Sequence, residues 1–303
     1  MASGAKLSST QPKGARKMSP KENRLPSMEP ALVGEVRLAA RAGEILRNND
    51  MGAWTKAAPD LYPHQWSWDS AFIAIGLARL DTRRAARELL TLFEHQWTNG
   101  KVPHIVFNPE ALLEIARVVG APDWDREFVA GWARRGREGL DACWDADLRL
   151  YLDYGVRIGR QVRSRTIAGF APLISGGLTE ERLGELLLTF DSPDFTGNAM
   201  LRRPLPPSTS PGEKRFHPRS YWRGPVWPVM GWLLWWSLER AGESERASRV
   251  RRSSLDQIAE GGFAEYFEPF TGEPLGSPDQ SWSAAVVLDW LLADPARVEA
   301  EAA

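Results

Sequence analysis

Glu265 lies in the stretch Gly-Phe-Ala-Glu-Tyr-Phe-Glu-Pro, 262–269, whose alternation predicts an extended segment with Phe263, Glu265 and Phe267 on one face. A carboxylate sharing the face of two phenylalanines is costly unless it has partners or a task, so Glu265 is the candidate general base. Glu268 and Glu273 are expected to be solvated loop acids. A second cluster, Tyr-Pro-His-Gln-Trp-Ser-Trp-Asp at 62–69, sets Trp66, Trp68 and Asp69 on one turn beside Tyr62 and Gln65. Sugars have apolar C–H faces and polar edges, and a site that holds one needs aromatic planes together with carboxylates or amides. The competing reading is a tryptophan-rich core turn in which Asp69 is only a helix N-cap. A third cluster, Ser-Tyr-Trp-Arg-Gly-Pro-Val-Trp-Pro at 220–228, presents Tyr221, Trp222 and Trp227 on a backbone fixed by two prolines. Arg223 there has the geometry to grip a carboxylate, but an arginine in a Gly-Pro turn more often holds its own loop together. The stretch Asp-Gln-Ser-Trp, 279–282, adds Gln280 and Trp282.

The elements that must position these residues read as helices. Residues 31–48 place Leu32, Val33, Val36, Leu38, Ala39, Ile45 and Leu46 near one face. Asp69 is expected to open a second helix. A third follows Asp81, with Ala85, Leu89, Leu92, Phe93 and Trp97 as its buried stripe. Further helices are expected at 110–119, 122–143, 166–174, 179–189, 222–240, 243–260 and 280–292. Short extended pieces fit 149–156 and 263–267, and the Pro-rich stretch 204–218 reads as a long loop. Short connectors predict antiparallel helix pairs. There is no Gly-rich phosphate loop and no βαβ alternation, so the chain is expected to be all-α, with helical hairpins in a ring and a pocket at one end.

Composition narrows the partners. A net charge of −1 over 303 residues argues against nucleic acid bound through general basicity. One cysteine, Cys143, excludes an internal disulfide and a thiolate zinc site and fits the cytoplasm. The four histidines form no HxxxH or HxH pair, so neither metal nor cofactor is expected. The longest apolar run, 226–236, is too short to span a bilayer, and no membrane partner is expected. Residues 1–30 are rich in Lys, Ser and Pro and read as a disordered basic tail, leaving 31–303 as a single domain. The fourteen tryptophans concentrate at 66–68, 222–236 and 282–290, beside polar groups, which favours a carbohydrate-type site over packing alone.

Four segments stand in a telling order: 62–69; Pro-His-Ile-Val-Phe-Asn-Pro at 103–109; Tyr-Trp-Arg-Gly-Pro-Val-Trp-Pro at 221–228; and Gly-Phe-Ala-Glu-Tyr-Phe-Glu-Pro-Phe-Thr-Gly-Glu at 262–273, followed by Gln-Ser-Trp-Ser-Ala-Ala. Together they resemble glycoside hydrolase family 63, most closely its bacterial branch of mannosylglycerate and glucosylglycerate hydrolases. The resemblance implies an (α/α)6 toroid-like barrel and inverting hydrolysis of α-glycosidic bonds. It maps the sugar-cradling positions onto Tyr62, Trp66, Trp68, Asp69, His104, Tyr221, Trp222, Trp227, Gln280 and Trp282, and the general base onto Glu265. A small carbohydrate is the implied partner, with homo-oligomerisation open.

The chain departs from that pattern in its middle. The family's long central stretch, which carries the general-acid aspartate and much of the aglycone pocket, has no counterpart here. Pro109 instead runs straight into Glu110 and Ala-Leu-Leu-Glu-Ile-Ala, 111–116, which sets the junction near 109–110. The barrel is therefore expected to be incomplete, and hydrolysis impaired by the loss of the acid segment. Glu110, Asp69 and Asp279 are the acids that could substitute, although the sequence sets none of them opposite Glu265. Two alternatives stand beside hydrolysis: a catalytically inactive sugar-binding relative, and a helical interaction protein.

Overall fold

Helix α1 (Pro30–Asn48) begins on proline, which is well suited to a first turn because its missing N–H would be unpaired there anyway. Its second half buries Ala42, Ile45 and Leu46, whereas Val36, expected on the same face, is exposed. That buried face is where α1 meets the C-terminal helix. The structure, a computed structural model, describes residues 30–94 and 139–292 apart from 61, 63, 64, 156 and 177. The expected helix at 110–119, most of that at 122–143, the basic tail and the junction near 109–110 lie outside the described residues.

Helix α2 (Ser67–Ala78) starts two residues earlier than expected, with Trp66 at the N-cap in an extended conformation and no side-chain cap. Asp69 therefore sits inside the first turn and is not the capping residue. Helix α3 (Thr82–Glu94) follows a short turn in which the Asp81 carboxylate accepts the N–H groups of Arg83 at 2.8 Å and Arg84 at 3.2 Å. Ala85 and Leu92 are buried as expected, but Phe93 is exposed, and Glu88, which carries no apolar signal, is fully buried. Trp97 lies outside the described residues.

Beyond residue 139, three antiparallel two-stranded ladders form: β1 (Trp144–Asp145) with β2 (Leu150–Tyr151), β3 (Tyr154–Gly155) with β4 (Arg160–Gln161), and β5 (Tyr266–Phe267) with β6 (Pro274–Leu275). The helix expected at 166–174 is instead a 3₁₀ segment, Ile167–Ser175, with Pro172 inside it. Helix α4 (Glu180–Phe190) is capped by Thr179, whose side chain accepts the Arg182 N–H. The single helix expected at 222–240 is broken. A 3₁₀ turn, Tyr221–Arg223, precedes α5 (Pro228–Arg240), because prolines 225 and 228 stop any continuous helix and the second then starts a new one. Helices α6 (Ser244–Gly261) and α7 (Ser281–Leu292) complete the set among the described residues.

Packing is by helical hairpins: α2 with α3 and α5 with α6. Helix α7 is buried continuously from Ser281 to Trp290 and packs against α1, α2 and α5, as its all-round apolar sequence requires. Its approach to α2 is so close that a Cβ on Gly76 would lie 2.3 Å from the Ala285 Cα. No helix among the described residues is long and apolar enough to cross a membrane.

Candidate active site

The distant clusters meet through backbone pairing. Val226 and Phe267 exchange N–H···O bonds of 2.9 Å each, which joins the 220–228 loop to β5. The Gln280 N–H donates to the Phe263 carbonyl at 2.8 Å, and the Ser281 N–H to Ala57 at 2.7 Å, so the start of α7 is tied both to the Glu265 segment and to the chain leading into α2. The result is a cavity of about 460 Å³ lined by Tyr62, Trp66, Trp68, Asp69, Tyr221, Trp222, Glu265 and Trp282.

Glu265 is buried at 2% exposure but well supplied with donors. The Tyr62 hydroxyl donates to its Oε1 at 3.0 Å and the Ser277 N–H to its Oε2 at 3.1 Å, and Tyr221 lines the same cavity. Burial, followed by the Glu265 charge, raises both phenols, Tyr221 to about 12 and Tyr62 further, so both stay protonated as donors. Tyr221 holds this position at φ +30, in a region most non-glycine residues avoid. Gly276, at φ +74, lets β6 lie directly on the carboxylate: a Cβ there would come 2.6 Å from Glu265 Oε2.

Asp69 faces the same cavity under different conditions. It is 8% exposed, and burial, with the nearby Glu265 charge, raises it from 3.8 to about 7 against the opposing effect of its own backbone N–H. It keeps its proton up to about pH 7.

Some expected residues stand behind the wall and do not line the cavity. Trp227 is 1% exposed and sandwiched, with Trp222 stacked on it at 4.0 Å and 7° and Tyr266 at 4.6 Å. Both its faces are taken, so it supports Trp222 and cannot itself offer a platform. Gln280 is fully buried, and its Oε1 accepts the Ser277 hydroxyl at 2.6 Å. His104 lies outside the described residues. Gln65 donates instead to the carbonyl of Glu88 at 2.9 Å. Asp279 is bound bidentately by Arg41 at 3.0 Å, away from the cavity lining, and Glu110 lies outside the described residues.

Two other expectations are settled locally. Glu268 is not a solvated acid: it is 5% exposed and accepts the Phe270 N–H and the Thr271 hydroxyl at 2.8 Å each, closing the turn between β5 and β6. The strict alternation at 263–267 also fails, because Ala264 is buried along with Phe263, Glu265 and Phe267. The segment has protein on both sides. Arg223 donates to the carbonyl of Arg215 at 3.2 Å and thus braces its own loop. Sequence reasoning missed Ser277 and Gly276, whose importance comes only from the strand that folds back over Glu265.

The fold and cavity define a helical protein whose aromatic-walled pocket holds Asp69 and Glu265. Solved structures of the family 63 mannosylglycerate hydrolase from Thermus thermophilus share the fold, one in complex with glucose at a TM-score of 0.76 and 24% identity, covering 84% of this chain and 99% of that one. The profile described as the mannosylglycerate hydrolase MGH1-like glycoside hydrolase domain matches residues 62–111 and 108–283, and the chain belongs to that family. The glucosylglycerate hydrolase of Mycolicibacterium hassiacum is 31% identical, with 84% of this chain and 98% of that protein aligned. A mannosylglycerate hydrolase of Thermus thermophilus is 23% identical over 82% of this chain and 99% of that protein. The M. hassiacum alignment runs over 435 positions, more than the 303 residues available, so the chain carries a central deletion relative to its family. The two matched segments meet at 108–111. The fold class is all-α, an incomplete toroid-like array of helical hairpins.

Proposed function

We propose that this glycoside hydrolase acts by inversion on small α-glycosides such as glucosylglycerate or mannosylglycerate, with Glu265 as the base that activates water. The observation that carries the reading is a buried carboxylate held by Tyr62 and the Ser277 N–H in an aromatic cavity that Tyr221 also lines. Trp66, Trp68, Trp222 and Trp282 offer stacking surface for a sugar, and Asp69 and the tyrosines offer polar edges. Inversion needs a second carboxyl group to protonate the leaving oxygen. Of the substitutes considered, Asp69 is the one that shares the cavity of Glu265 and keeps a proton up to about pH 7. We assign it that role here, together with binding of sugar hydroxyls. Residues 31–303 would then act as one domain, in the cytoplasm.

Release of glucose or mannose from the glycerate glycosides tests this directly. Glu265→Gln is expected to lower turnover by about 10²–10⁴, and equal release by wild type and variant would reject the base assignment. Asp69→Asn should slow the glycerate glycosides far more than a 4-nitrophenyl glycoside, whose leaving group needs little protonation. A uniform effect on both would remove Asp69 as the proton donor. The central deletion favours one second reading, sugar binding without turnover. Calorimetric binding of the glycoside with no product release would establish it.

A further inference from the structure

Behind the Trp66–Asp69 wall lies a buried polar cluster that the chemistry above does not use. Glu88 on α3 has no exposed surface, yet its carboxylate accepts the Ser70 hydroxyl at 2.6 Å, the Thr55 hydroxyl at 2.9 Å and the Arg84 guanidinium at 3.0 Å. Its backbone carbonyl accepts the Gln65 amide at 2.9 Å, and that same amide reaches the Ser70 hydroxyl at 3.2 Å. Arg84 extends the cluster to Asp50 at 2.8 Å. Gln65 immediately precedes Trp66, and Ser70 immediately follows Asp69, so one residue grips both flanks of the cavity wall. A buried carboxylate with its pairing arginine is seldom the most stabilising choice between two helices, where apolar residues do as well or better. What converging hydrogen bonds add is direction: they fix the rotation of a segment in a way that apolar packing does not.

We propose that Glu88 is a positioning residue, which clamps residues 65–70 onto α3 and thereby sets how Trp66, Trp68 and Asp69 face the cavity. The inference rests on the glycosidase reading for its kinetic consequence but not for its structural one. The test uses the full chain carrying Glu88→Gln, with Asp145→Asn as control. Asp145 is likewise a buried carboxylate, 6% exposed, paired with Arg163 and the Leu148 N–H in the β1–β2 hairpin. Both variants lose stability if each carboxylate is merely structural. Under the proposal, Glu88→Gln alone raises KM for the glycerate glycoside by about tenfold or more, with a smaller change in kcat, as expected when binding groups are misplaced.

5-Fluorotryptophan labelling supplies the second readout. The Trp66 and Trp68 resonances, identified from Trp66→Phe and Trp68→Phe, should shift or broaden in Glu88→Gln and stay fixed in Asp145→Asn. If both resonances stay in place in Glu88→Gln, the proposal is overturned. If wild type neither binds nor hydrolyses the glycoside, the functional reading falls while the fluorine signals still decide the clamp. Should Glu88→Gln fail to fold, Ser70→Ala removes the 2.6 Å hydrogen bond to Glu88 and the 3.2 Å bond from Gln65, leaves the Gln65 bond to the Glu88 carbonyl, and is expected to move the same resonances by less. Unmoved resonances in that variant would equally overturn the proposal.

Discussion

The two carboxylates of the cavity are nearly equally buried and are treated in opposite ways. Glu265, on the wall built from 262–282, receives donors from Tyr62 and the Ser277 backbone. Asp69, on the wall built from 62–70, is raised to about 7 by burial and by the charge of Glu265. Nearly equal burial thus comes with unequal partners: donors converge on the Glu265 carboxylate, whereas burial is the largest influence on Asp69. The walls also differ in how they are held. The 262–282 wall is secured by backbone bonds to Val226, Ser277 and Phe263, and the 62–70 wall by side chains converging on Glu88.

The largest expected effect that would break this contrast comes from Asp69. Because its folded pKa lies above the ordinary value, the native state is favoured while Asp69 keeps its proton. Stability is then lost as pH rises from about 4 toward 7. The full span is at most about 4 kcal/mol. Denaturant midpoints measured across that range should fall for wild type and stay much flatter for Asp69→Asn. Equal slopes would mean that Asp69 is no different from an exposed acid.

Gly276→Ala probes the other wall. It places a Cβ in a φ +74 backbone conformation and against the Glu265 carboxylate, so it combines strain of about 1–3 kcal/mol with displacement of the base. Thermal unfolding and turnover should both drop. Full activity at reduced stability would show that the Glu265 position tolerates more movement than its contacts imply. The smallest effect is expected from Ser277→Ala. That change keeps the backbone donor to Glu265 and removes the hydroxyl, which donates to Gln280 at 2.6 Å and lies 3.3 Å from Glu265 Oε2, at a cost of about 0.5–1.5 kcal/mol. A turnover loss as large as that of Glu265→Gln would instead assign the hydroxyl a direct part in the reaction.

What the sequence determined by itself was the set of elements and the chemistry-bearing clusters. Apolar periodicity marked α1 to α3 and α7, proline marked the loop at 204–218, and the grouping of tryptophans beside Asp69 and Glu265 marked the cavity. The breaks were harder to read. The periodicity at 222–240 runs on through residues whose prolines stop the helix, and Asp69 resembles a cap although the chain had already begun to coil at Ser67. Only the tertiary structure decided which aromatic residues face the cavity and which stand behind it. Trp222 and Trp227 are indistinguishable as letters, yet one is stacked upon the other. Glu88 was hard to read, because its burial depends on Thr55 and Ser70 arriving from other segments, and only Arg84, one turn earlier on α3, is a local partner. Local patterns record what a residue prefers, whereas the charge state and orientation of a buried group depend on partners that only the folded chain assembles.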